Sequence, residues 1–397
     1  MKYVSKFFKY LLGALIAMVL IVNVFILITG RTYLYKGIAN TYLKGRSGPS
    51  INESEIFANR IVKASNPMPY ARAANYNVQA LTSAQLAFMD TFKTVAFVVI
   101  KNDSLVHEQY WDGINAQSHT NAFSMAKSIV AMLIGVAIND GKIASIDDPV
   151  AKYLPEFKAI ETTPNKVTIR HLLTMSSGVN FDEDYVNPLA YPGEAYYGSD
   201  LRKLTFHTHY KTTEEPGKYF KYHSGDTQIL AFLLEAVTGK HVGDYATEKL
   251  WSKIGATNDA WWNLDSENGS EKSFCCFNSN ALDFARIGSL ILHHGKWNGQ
   301  QVVDSSYVAQ MTSIANLKDE TTGKQINNYG LQWWIVPNYL GHDIVYMRGK
   351  LGQYVAILPD ENLVICRLGH LQDSRKDEND HRVDFFRYID IGLALTK

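Results

Sequence analysis

The chain has 397 residues, with 39 basic and 39 acidic side chains for a formal net charge of zero, 46% hydrophobic residues and 20% charged ones. That balance excludes a disordered chain and leaves no basic footprint for nucleic acid, and the length suffices for one large or two medium domains with a sizeable core. Three cysteines, adjacent at Cys275 and Cys276 and distant at Cys366, make no disulfide framework; buried free thiols are expected, with a single bridge to Cys366 as the alternative.

Residues 1–9 are short and basic, and Tyr10 to Thr29 contain no charge, about the 20 residues that span a bilayer. The run is longer than the apolar part of a signal peptide, and Ile28 before Gly30 spoils a small-x-small cleavage site, so an uncleaved transmembrane anchor over 10–29 is expected. Basic residues on both sides leave the charge rule undecided; the brevity of residues 1–9 favours a cytoplasmic N-terminus and a body on the far side. Residues 30–75 lack a long periodic segment and end in Asn66-Pro67-Met68-Pro69, which reads as a tether leading into a body at 76–397.

Thr94 to Lys101 and Leu105 to Trp111 flank Asn102-Asp103-Ser104, a hairpin signal. The next segment carries Ser124-Met125-Ala126-Lys127, followed by apolar residues at three- and four-residue spacing up to Asn139-Asp140-Gly141, a helix with a glycine stop. On a helix, residues three apart share a face, so the Lys127 amine can reach the Ser124 hydroxyl and take its proton. Ser124 would then sit in a first turn whose unpaired N–H groups favour a developing oxyanion. On the tetrapeptide alone, a serine cap followed by a solvated lysine is the favoured reading, so other motifs must decide.

Asp148-Pro149 and Thr168 mark helix starts, and Gly225 to Thr238 reads as a helix closed by Gly239. Just before it, Tyr222-His223-Ser224 follows a Pro216-Gly217 turn, placing a phenol that can relay a proton and a hydroxyl that can extend its network. Strand signals return at Tyr329 to Val336, Asp343 to Met347, Gln353 to Leu358 and Leu363 to Leu368, with a terminal helix from about Arg382. Between two of these strands, Arg348-Gly349-Lys350-Leu351-Gly352-Gln353 marks a close backbone approach that could supply an oxyanion donor. Strands at both ends with helices between predict an α+β fold: one antiparallel sheet built from the N- and C-terminal parts with flanking helices, and a mostly helical lobe beside it, with the site in the cleft between.

In chain order, Ser124–Lys127, Ile146-Asp147-Asp148-Pro149-Val150, Thr168 to Gly178, Tyr222–Ser224 and Tyr329-Gly330-Leu331-Gln332-Trp333-Trp334 resemble the serine hydrolases of the β-lactamase and penicillin-binding superfamily. The resemblance lies nearest the class C-like branch with its esterases and 6-aminohexanoate-dimer hydrolases, over roughly residues 75 to 397. It implies an acyl-enzyme on Ser124, with Lys127 and Tyr222 moving protons and the choice of general base between them open. It also implies oxyanion and substrate contacts from the backbone of Ser124 and of Lys350 after Gly349, with Ser224 beside them. Where β-lactamases place Lys-Thr-Gly, or His first, this chain has Met347-Arg348-Gly349, a departure that favours esterases and amidases over enzymes gripping a β-lactam carboxylate. His171 and the Trp333-Trp334 pair are expected to be structural.

The expected protein is a single-pass hydrolase of a bacterial inner membrane, its catalytic domain periplasmic or extracellular, acting on a small or short oligomeric amide or ester. No cofactor is expected, and no spacing of metal ligands appears. The alternatives are a β-lactamase or D-alanyl-D-alanine carboxypeptidase, and a non-catalytic sensor or scaffold in which the site would have decayed.

Overall fold

The computed structural model describes residues 2–163 and 165–397; Met1, the first residue of the expected cytoplasmic segment, and Pro164 lie outside the described residues. Its main sheet has seven strands: β1 (Ala71–Arg72), β2 (Thr94–Lys101), β3 (Ser104–Tyr110), β4 (Trp334–Tyr339), β5 (His342–Gly349), β6 (Gln353–Leu358) and β7 (Leu363–Gly369). They lie in the order β4-β5-β6-β7-β2-β3-β1, and every pair is antiparallel except β1 with β3. The two ends of the chain meet where β7 pairs with β2, Cys366 opposite Val98, as the strand distribution predicts. Between β2 and β3, Asn102 and Asp103 both have positive φ, the geometry a two-residue hairpin loop needs and one these residue types tolerate.

Side chains alternate across β2, so this strand divides the core. Val98 and Ile100 join the larger apolar cluster, and Phe97 and Val99 pack with Phe385, Tyr388 and Ile389 on the opposite face. On the first face lie the helices α3 (Met125–Asn139), α4 (Ser224–Thr238) and α5 (Ala281–Leu292); on the second lies the terminal helix α6 (Val383–Leu395). Gly288 lets α5 sit close, because a Cβ there would stand 2.6 Å from Val364 Cγ1. Helix α3 is buried from Met125 to Ala137, apolar on all sides as a helix enclosed by sheet and lobe must be.

Residues 30–75, expected as a tether, are instead bound into the body. The apolar helix α1 (Lys2–Thr29) is followed by α2 (Tyr33–Asn40); Asn59–Val62 pairs with Ala260–Asn263, and β1 extends the main sheet. Ile51, Phe57 and Val62 are buried in the larger core cluster. These elements are too short for a periodic signal, and their partners lie far along the chain.

Two further expectations change. Residues 329–333 are outside the strand that starts at Trp334, because Gln332 takes a left-handed φ and turns its backbone N–H to the Leu173 carbonyl at 2.9 Å. Cys275 and Cys276 are disulfide-bonded to each other, and Cys366 is the buried free thiol; Cys366 lies in the central strand β7, away from the pair, so no bridge reaches it.

Candidate active site

The turn into α3 positions Ser124. Asn121 Oδ1 accepts from the Phe123 N–H at 2.8 Å and steadies Phe123 at a φ of 46°, an uncommon conformation for a bulky residue. The Ser124 side chain makes no capping bond to its own helix, so its hydroxyl is left to tertiary partners. One turn on, Lys127 Nζ lies 3.1 Å from Ser124 Oγ, 3.3 Å from Ser224 Oγ and 2.7 Å from the Phe274 carbonyl oxygen. Lys127 is 1% exposed and, among the described residues, has no carboxylate within salt-bridge distance. Burial accordingly lowers its pKa to about 8, against a smaller raising influence of the Glu183 carboxylate.

Tyr222 reaches the same spot from the loop before α4. That loop rests on the segment after Thr168, which caps the helix Ile169–Leu173. There Met175, itself left-handed, accepts the Lys221 N–H on its carbonyl, its Sδ accepts the His223 N–H, and Ser176 accepts the Gly217 N–H. The Lys127 ammonium sits 5.2 Å from the Tyr222 ring centroid, and the ring packs against Trp334 at 5.7 Å. Burial raises the phenol well above its ordinary value, opposed by a hydrogen bond with Ser124 and by the Arg348 charge, so Tyr222 is protonated at neutral pH.

Glu183 and Tyr185 complete the cluster, and sequence reasoning missed both. Glu183 Oε2 accepts from the Ser224 N–H at 2.8 Å and Oε1 from the Ser224 hydroxyl at 2.5 Å, while the Tyr185 hydroxyl donates to Oε1 at 2.5 Å. Burial raises the Glu183 carboxyl against the lowering effect of Lys127. The only signal was an acidic run, Asp182-Glu183-Asp184, of the kind that ordinarily faces water. Ser224, expected among the substrate and oxyanion contacts, gives its O–H to Glu183 and is held between that carboxylate and Lys127.

The end of β5 forms the opposite wall. A Cβ on Gly349 would collide with the Ala122 carbonyl oxygen, so glycine is what lets this strand end press against the turn that carries Ser124. Met347 is buried in the core. Arg348 stacks 3.5 Å over the Trp334 ring and bonds Asp380 Oδ2 at 2.8 Å, so its charge is spent on structure rather than on Lys127. Lys350 follows at the turn, its pKa lowered by burial. Trp333 and Trp334 are buried as expected, and His171 serves the Thr168 cap, its Nδ1 accepting the Thr168 N–H at 3.2 Å.

Ser124 stands where two cavities meet. One, of about 1020 Å³, is lined mostly by polar residues and includes Tyr222, Asp319, Lys324, Arg348 and Asp380; the other, of about 550 Å³, is largely apolar. Among the described residues, Glu235, His241 and Glu271, and likewise His342, Asp360 and Glu361, bring possible metal-ligand atoms within 4.8 Å of one another, but neither group lines these cavities.

A family model described as Beta-lactamase matches residues 83–386. The chain is 26% identical over 294 residues to the 6-aminohexanoate-dimer hydrolase of Paenarthrobacter ureafaciens, covering 70% of this chain and 73% of that protein. A solved structure from Bacillus anthracis, provisionally named as the same kind of hydrolase, superimposes with a TM-score of 0.72 at 25% identity, covering 87% of this chain and 93% of the other. The fold is also that of a family VIII carboxylesterase, with a TM-score of 0.63 at 19% identity over 82% of this chain and 98% of that one.

Proposed function

The chain belongs to the Beta-lactamase family of serine hydrolases, and on that premise we propose that it is a membrane-anchored hydrolase that cleaves an amide or ester bond through an acyl-enzyme on Ser124. The observation that carries this reading is the buried Lys127 amine 3.1 Å from the Ser124 hydroxyl. With its pKa brought to about 8, a useful share of this amine is neutral near pH 7, as a general base requires. Tyr222, its phenol held protonated, is suited to donate, so Lys127 takes the Ser124 proton and Tyr222 protonates the leaving group. In the second half of the cycle water attacks the acyl-Ser124 ester, and the same groups return the proton. The backbone N–H groups of Ser124 and Lys350 are the oxyanion donors in this reading, with Gly349 setting the distance between their two elements. Met347 in the core and Arg348 tied to Asp380 leave neither to grip a carboxylate, which supports an esterase or amidase over a β-lactamase or carboxypeptidase.

The anchor reading rests on Tyr3–Thr29, a helix long and apolar enough to cross a membrane. At about 1.5 Å per residue the 28 residues of α1 exceed the roughly 30 Å hydrocarbon core. Its C-terminal end is tied to the body: Ile26 is fully buried, Arg31 Nη1 donates to the Leu189 carbonyl at 3.1 Å and the Tyr33 hydroxyl to the Pro188 carbonyl at 3.1 Å. A segment held in this way supports a retained anchor over a cleaved leader, and in this reading the body lies on the outer face of a bacterial inner membrane.

The test is labelling of the full chain with a fluorophosphonate probe, with mass-spectrometric location of the adduct, beside turnover of aryl esters, linear amide oligomers and a chromogenic cephalosporin. An adduct on Ser124 with ester or amide turnover is expected. An adduct elsewhere refutes the nucleophile, and preferred turnover of the cephalosporin restores the β-lactamase reading. Recovery of the chain in a carbonate-washed membrane fraction is expected, and release after trimming near residue 30 refutes the anchor.

A further inference from the structure

The two cavities at Ser124 differ in chemistry, and the catalytic groups are divided between them. Tyr222, the proposed donor to the leaving group, lines the polar cavity with Arg348 and a ring of charged and amide side chains. The apolar cavity takes the other side of the nucleophile. Its lining includes Phe123 and Phe274, Leu34 and Ile38 of α2, Pro188 of a neighbouring loop, and Val22 and Phe25 of α1. Among the described residues, only Ser124, Tyr185 and Lys350 border both. A carbonyl presented to Ser124 with its leaving group toward Tyr222 must therefore direct its acyl side into the apolar cavity.

The wall that α1 contributes identifies what fills it. Phe25 precedes the end of the span at Thr29 by about one helical turn, so this wall stands at the edge of the hydrocarbon layer once α1 is in a bilayer. Val22 and Phe25 are about 40% exposed, as residues facing acyl chains would be. At about 550 Å³, the cavity falls within the roughly 300–1,000 Å³ range of small-molecule sites.

Building on the acyl-enzyme reading, we propose that the substrate is a membrane amphiphile, a long-chain acyl ester or amide of a polar headgroup, whose chain enters the apolar cavity from the lipid side while the headgroup occupies the polar one. Ser124 Oγ bonds to the acyl carbon as its proton passes to Lys127. The bond from that carbon to the headgroup oxygen or nitrogen breaks, and the headgroup leaves with the Tyr222 proton, which Lys127 replaces. Water then cleaves the acyl-Ser124 ester to a free long-chain acid. The α2 helix is thus a wall of the substrate site, which accounts for its being bound to the body instead of linking it loosely to the anchor.

The experiment measures kcat/KM for p-nitrophenyl acetate, octanoate and dodecanoate with the full chain in detergent micelles, in wild type, Leu34→Trp and Ile38→Trp, together with fluorophosphonate labelling of each. The dodecanoate-to-acetate ratio belongs to each preparation, so a variant that folds in reduced yield still reports it. Since each buried methylene contributes a several-fold effect, the wild-type ratio should reach at least about 100, and a tryptophan that fills the cavity should reduce it at least about tenfold. A wild-type ratio near or below one overturns the proposal while leaving the hydrolase reading intact, and so does a ratio that neither tryptophan changes. Absence of labelling and of all ester turnover defeats the hydrolase reading itself. In a second arm, wild type in vesicles of an acyl-ester phospholipid should release free acid, and Ser124→Ala should not; release by neither protein overturns the lipid source.

Discussion

Glu183→Gln should shift the pH at which acylation reaches half its plateau downward, and lower the plateau itself. An ordinary lysine near 10.5 is neutral in only about 3 molecules in 10⁴ at pH 7, whereas one near 8 is neutral in about 1 in 11, a gain of about 300-fold in active base. Burial produces that shift, and the Glu183 carboxylate opposes it by favouring the ammonium. Removing the carboxylate charge therefore leaves desolvation less opposed, and the Lys127 midpoint falls below the wild-type value. The plateau falls for a separate reason. Glu183 accepts from both the N–H and the hydroxyl of Ser224, and a glutamine offers one acceptor oxygen and an amide N–H that faces a donor. Ser224 then holds Lys127 less firmly. Single-turnover acylation by p-nitrophenyl acetate from about pH 6 to pH 10 reads both quantities. A wild-type midpoint near the ordinary lysine value, or a midpoint that rises in Glu183→Gln, refutes the reasoning.

Ser124→Ala should abolish fluorophosphonate labelling and reduce turnover by several orders of magnitude; retained labelling would move the nucleophile elsewhere. Tyr222→Phe should slow acylation by about 10²–10⁴-fold, and more for amides than for aryl esters, whose leaving group needs no proton; equal slowing of both would deny the donor role. Lys127 is held below its unfolded value, so the unfolded chain binds more protons between about pH 8 and pH 10.5 and wild-type stability rises with pH there, by at most about 3 kcal/mol. Thermal midpoints should therefore show Lys127→Met gaining on wild type at pH 7 relative to pH 10, and a gain that grows with pH contradicts the assignment. Gly349→Ala should cost about 1–3 kcal/mol and most of the activity by pushing β5 off the Ala122 carbonyl, and a variant with unchanged melting and turnover would show that the close approach is dispensable.

Much of the architecture was legible because it depends on local pattern. The β2–β3 hairpin announces itself through two residues that tolerate positive φ, α3 through its apolar spacing, and α4 through Gly239, which is left-handed in the structure. Ser124 and Lys127 share a helix face by spacing alone, and their 3.1 Å contact needs no other part of the chain. The order of the motifs carried the rest of the family reading.

Tertiary structure decided whatever depends on partners remote in sequence. The Lys127 pKa is set by enclosure under Phe274 and Ser224, about 150 and 100 residues away, and no local pattern encodes desolvation. Glu183 lies in an acidic loop that reads as solvated and becomes part of the site only because the loop folds back onto the start of α4. Arg348 stands next to the glycine of the site in sequence, and only the fold shows its charge bonded to Asp380 and stacked on Trp334. Residues 30–75 read as a tether because their elements are short. Strand pairing with Ala260–Asn263 and the packing of α2 beside the nucleophile turned them into a wall of the site, since backbone pairing and apolar burial act between surfaces that only the folded chain brings together.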